Sequence, residues 1–113
     1  MGECWYSINE VGGVTYANEA AALYIEMVRK NDYYLAKVRI QPVIEVHNVL
    51  LTICCDDKEV YKDLLDLRPA NLIIRKLAVP SDKIILKVTE QSGKEIISWD
   101  CREYRTNPPE IPV

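Results

Sequence analysis

The sequence predicts an α+β fold, an antiparallel β-sheet of five to seven strands with two helices on one face. Three observations lead there. Residues 34–41 alternate apolar and polar side chains with the period of two that a half-buried strand requires, and residues 83–90 and 94–99 form a hairpin across Gln91-Ser92-Gly93. Residues 19–30 and 58–67 carry apolar residues at the three- and four-residue spacing of a helical stripe. Each of those two stretches follows an Asn or Asp that can cap the first turn. The resulting order, ββαββαβββ, contains the βαββαβ arrangement of a ferredoxin-like sandwich.

In chain order, residues 4–8 and 14–17 read as short strands joined by Asn9-Glu10-Val11-Gly12-Gly13, whose glycines can take positive φ. Asn18 then caps a helix over 19–30, with Ala20, Leu23, Tyr24, Met27 and Val28 as its buried stripe. Glu19 at its start and Arg29 and Lys30 at its end suit the helix dipole. From Tyr33 the period becomes two, with Tyr34, Ala36, Val38 and Ile40 on one face until Pro42 interrupts the ladder. Residues 43–46 and 49–54 continue as strands around a turn at His47-Asn48. The acidic Asp56-Asp57-Lys58-Glu59 opens the second helix in the manner of a capping box. Val60, Tyr61, Leu64 and Leu65 form its stripe, and Pro69 ends it. A strand over 71–79 and a hairpin over 83–99 complete the sheet, with Gly93 at the left-handed position of a three-residue loop.

With 113 residues, 49% of them hydrophobic and 27% charged, the chain is sized for one domain, placed at 1–105. An extended tail follows at 106–113, marked by Pro108, Pro109 and Pro112. A net charge of −3 removes the general phosphate attraction on which most nucleic-acid binders depend, unless the charges segregate onto one face. No apolar run is long enough to span a membrane, and Met1-Gly2-Glu3-Cys4-Trp5 lacks the basic and apolar stretches of a secretory signal. A cytoplasmic location, with no membrane partner, is expected. The four cysteines, Cys4, Cys54, Cys55 and Cys101, have no Cys-x-x-Cys or zinc-ligand spacing, and His47 is the single histidine. Neither a metal nor any other cofactor is expected. The thiols read as reduced, with Cys4 and Cys101 able to meet only if the terminal strands pair.

Two motifs resemble known families locally. Asp66-Leu67-Arg68-Pro69-Ala70-Asn71-Leu72 is similar to the catalytic loop of protein kinases, in which the Asp positions the substrate hydroxyl and the Asn holds magnesium. The surrounding pattern departs from that family: Leu64-Leu65 replaces the preceding His-Arg, and a chain without Phe has no Asp-Phe-Gly. The segment therefore reads as an element ending at Pro69. The element order also resembles the RNA-recognition motif, but the strand that should carry base-stacking aromatics is Val49-Leu50-Leu51-Thr52-Ile53-Cys54.

What remains favours a small acidic protein-binding module of regulatory, inhibitory or immunity type, which contacts a protein through a sheet face and self-associates. Alternatives are a small enzyme with an interface active site using His47 or a cysteine, and a single-stranded nucleic-acid binder. The predicted binding residues lie at the C-terminal hairpin. A loop at Gln91-Ser92-Gly93 pairs Val88 with Ile96 and Leu86 with Ser98, leaving Ile85, Ile97 and Trp99 on the face away from the helices. Such an exposed apolar cluster marks a contact, with Trp99 as anchor and Arg102 and Tyr104 as polar rim.

Overall fold

The computed structural model describes residues 5–8 and 13–101. Its elements are nine strands: β1 (Trp5–Ile8), β2 (Val14–Ala17), β3 (Ala21–Arg29), β4 (Tyr34–Pro42), β5 (Val46–Cys55), β6 (Lys58–Leu67), β7 (Ile73–Val79), β8 (Ile84–Thr89) and β9 (Glu95–Asp100). They form two antiparallel sheets, a first of order β1-β2-β3-β4-β7 and a second of order β6-β5-β8-β9. From β3 onward the chain crosses between the sheets after β4, β6 and β7. These Greek-key connections are those of an immunoglobulin-type sandwich. The α+β expectation and its ferredoxin-like order are overturned, because both expected helices are strands.

The first correction concerns residues 19–30. Ala21, Leu23 and Ile25 are buried in strict alternation along β3, which pairs with β4 from Ala21↔Pro42 to Arg29↔Tyr34. Leu23 and Met27 stand four apart, so they share a face at either period; Ala21 and Ile25, which are buried, and Tyr24 and Val28, which face outward, separate the two readings. Asn18 does cap, but it caps a turn. Its Oδ1 accepts from the Ala20 and Ala21 N–H groups at 2.8 and 3.1 Å, and its Nδ2 donates to the Ile96 carbonyl on β9. One side chain thus folds the β2–β3 link and ties it to the opposite sheet.

The second correction has a sharper cause. Asp56 and Asp57 have φ of 51° and 64°, both left-handed. Two consecutive positive-φ residues between paired strands make a type I′ hairpin, whose twist suits the flanking strands. Cys55↔Lys58 closes it, so the acidic pair turns the chain back into β6 and starts no helix. The expected turn at His47-Asn48 is a bulge inside one continuous β5. Val46 pairs with Leu67 and Val49 with Leu65, so His47 and Asn48 oppose the single residue Asp66.

The core lies between the sheets. Leu23, Ile25, Val38 and Ile40 of the first meet Leu51, Ile53, Leu86, Ile97 and Trp99 of the second, all at most 2% exposed. The β6 and β7 margins are joined by an inward-facing polar contact. Arg75 of β7 donates through Nε to the Tyr61 hydroxyl at 2.8 Å and through Nη2 to Asp63 at 3.1 Å, and the Tyr61 hydroxyl donates to the same carboxylate. An inward charge on an edge strand also discourages pairing with another chain.

Candidate functional site

The outer face of the first sheet is organised in rows set by the register. Tyr24, Arg39 and Ile74 form one row across β3, β4 and β7; Glu26, Lys37 and Lys76 form the next; Val28, Leu35 and Ala78 the third. The residues between them point into the core, so period two assigns every member of these rows to the outside. Val28 is 43% exposed, Ile74 43% and Leu72, just before β7, 48%. A shallow groove runs beside the first row, lined by Thr15, Tyr24, Arg39, Gln41 and Leu72 among others.

Arg39 is the distinctive group. Its guanidinium carbon lies 4.6 Å from the centre of the Tyr24 ring, a cation–π contact of about 0.5–1 kcal/mol at a surface. The Tyr24 hydroxyl in turn donates to Glu26 at 3.4 Å. The stack holds the guanidinium flat, yet Arg39 has no carboxylate partner among the described residues, and neither do Lys37 and Lys76. In a chain of net charge −3, this face presents, among the described residues, three cations without a carboxylate partner against one acid, Glu26.

His47 occupies the β5 bulge. Nε2 donates to Glu45 at 3.0 Å and Nδ1 lies 3.4 Å from Asp66. The flanking carboxylates hold its pKa above the ordinary 6.5, with Glu45 the larger cause. Asp66 also accepts from the Asn48 N–H at 2.8 Å and lies 3.7 Å from Arg68, and it titrates below the usual carboxylate range. Both ring nitrogens therefore face acids. The two acids favour the protonated imidazole, an arrangement that suits a structural clasp on the bulge better than a general base.

The predicted hairpin patch is differently placed. Gly93 takes φ 94° and Glu90 bonds Lys94, as the loop chemistry requires. Beyond the loop the register slips: Thr89 pairs with Glu95, but Val88 pairs with Ile97 and Leu86 with Trp99. One extra residue, Ile96, bulges on β9, and a one-residue slip sends every following side chain to the other face. Ile97 and Trp99 accordingly enter the core at 2% and 1% exposure. Ile85 remains on the outer face of the second sheet, opposite Asp100, beside a cleft shared with Asp56, Asp57, Lys83 and Cys101. Arg102 and Tyr104 lie outside the described residues, as do Cys4 and the tail at 106–113. Cys54 and Cys55 are free thiols, and no cluster of potential metal ligands occurs among the described residues. No helix in the described residues is long and apolar enough to cross a membrane.

The pattern of the family described as "YphG-like protein, second domain" matches residues 16–99, running from β2 to β9. The chain belongs to that family. No curated protein and no solved structure matched it. The family match covers all three rows of the first sheet's outer face. Sequence reasoning missed that face because a helix was expected over 19–30, which separates Tyr24, Glu26 and Val28 from their partners on β4. The signal was present in the period-two run Leu35, Lys37, Arg39, Gln41.

Proposed function

We propose that this chain is a protein-docking β-sandwich that binds its partner through the outer face of the first sheet. One observation carries the reading: Val28 and Ile74 each stay 43% exposed on a sheet whose other face already supplies the core, with Leu72, just before β7, 48% exposed beside them. Apolar side chains gathered on one face and mixed with an aromatic and an arginine have the composition of an interface. The family's description as a second domain supports it, since a domain with neighbours has surfaces to place against them.

The test uses partner proteins captured by the whole chain, identified by mass spectrometry and re-bound in purified form. Ile74→Glu and Val28→Asp should each weaken binding at least tenfold without unfolding the protein. Leu64→Glu, on the outer face of the second sheet, should leave it unchanged. Binding that survives both first-sheet changes but fails in Leu64→Glu would move the docking face to the other sheet and refute the proposal.

A further inference from the structure

The outer face of β4 presents, two residues apart, Leu35, Lys37, Arg39 and Gln41. The first three are flanked on both sides in register: Leu35 by Val28 and Ala78, Lys37 by Glu26 and Lys76, Arg39 by Tyr24 and Ile74. Along a strand, alternate residues recur about every 6.6–6.8 Å, and an extended peptide laid parallel to β4 repeats at that same interval. Its side chains at every second position would meet the apolar site, the Lys37 site and the Arg39 site in turn.

The chemistry of those sites selects the ligand. Arg39 offers a planar fork of donors, held against Tyr24 and bearing no acceptor among the described residues; such a fork matches a carboxylate in two-point contact. Lys37 and Lys76 add two cations beside a single acid, so the middle site also favours a negative group. The site around Leu35 favours an aliphatic side chain. We infer that the first sheet's outer face receives an extended acidic segment of a protein partner, with carboxylates at two alternate positions and an apolar residue at the third. This inference rests on the docking reading above and adds the partner's chemistry to it.

The experiment measures binding of blocked peptides to the full chain by NMR chemical-shift perturbation. The probe Glu-Ser-Glu-Ser-Leu should shift resonances of residues 24–28, 35–41 and 74–78, with affinity falling as salt rises. Replacing both glutamates by glutamine should abolish the shifts. Reordering to Glu-Glu-Ser-Ser-Leu should weaken binding several-fold, because adjacent side chains point to opposite sides of an extended chain. Arg39→Gln should weaken binding about tenfold. Arg39→Lys, which keeps the charge and loses the fork, should still weaken it several-fold. Equal binding of the glutamine peptide, or wild-type affinity in both Arg39 variants, overturns the inference. So does a phosphoserine peptide that binds where the glutamate peptide fails. Failure here, with partner capture still sensitive to Ile74→Glu, refutes the acidic ligand and leaves the docking face standing. Peptide binding without that sensitivity refutes the docking face instead.

Discussion

Trp99→Ala separates a core residue from a surface anchor more sharply than any other single change. The side chain is 1% exposed and sits on β9 opposite Leu86, which is itself fully buried. A buried Trp removes about 200–250 Å² from water, worth about 5–6 kcal/mol at ~25 cal/mol/Å². A compact unfolded state lowers that to about 3–5 kcal/mol, which agrees with the ~3–5 kcal/mol of large-to-small core changes. Urea unfolding followed by far-UV circular dichroism is the suitable assay, since the substitution removes one of only two tryptophans. The midpoint temperature should fall by at least ~12 °C for a domain of this size. If the alanine variant does not fold, Trp99→Leu should fold with a smaller but clear loss. Ile85→Ala, on the outer face, should cost under about 1 kcal/mol. A loss below about 1 kcal/mol for Trp99→Ala would place the indole at the surface and refute the bulged register of the hairpin.

Three further outcomes follow from the turn, the bulge and the contact between β6 and β7. Asp57→Gly should stabilise the fold by about 0.5–1 kcal/mol, because glycine occupies the left-handed position without the Cβ clash; in a helix the same change would destabilise, and chemical denaturation reads the sign. His47, with its pKa raised above 6.5, contributes stability that is fully present below that value and is lost as pH rises through its folded pKa. NMR titration should find that raised pKa, and Asp66→Asn should lower it toward 6.5. Asp63, lowered by Arg75 first and Tyr61 next, behaves oppositely: its contribution holds above its ordinary 3.8 and is lost as pH falls through the depressed value. Arg75→Met should therefore flatten the acid end of the stability profile.

The strands were legible wherever hydrophobic alternation was unambiguous. The run from Tyr34 to Gln41, the second strand at Val14–Ala17 and the loop at Gly93 lie where period and turn chemistry place them, while Pro42, expected to interrupt the ladder, ends β4 opposite Ala21. Residues 19–30 were misread because Ala, Leu, Glu, Met and Lys are strong helix formers and Leu23 and Met27 satisfy both periods; pairing with β4 overrides that local preference. The second helix failed for a different reason. An aspartate at the start of a segment reads as a cap, while the left-handed φ of Asp56 and Asp57 is visible only once β5 and β6 pair. The single-residue bulge at Ile96 leaves no mark in the sequence, so Trp99 was placed on the wrong face. The docking rows emerge only from the register, because their members are separated by up to fifty residues along the chain.

Lysine footprinting tests the docking face most directly, because each sheet carries its own reporters. Lys37 and Lys76 lie on the outer face of the first sheet; Lys62 and Lys87 lie on the outer face of the second. Brief acetylation of the free chain and of the chain saturated with its purified partner, read by mass spectrometry, compares the two sets within one molecule. Protection of Lys37 and Lys76, with unchanged labelling of Lys62 and Lys87, is the predicted result. Protection confined to the second set would contradict it.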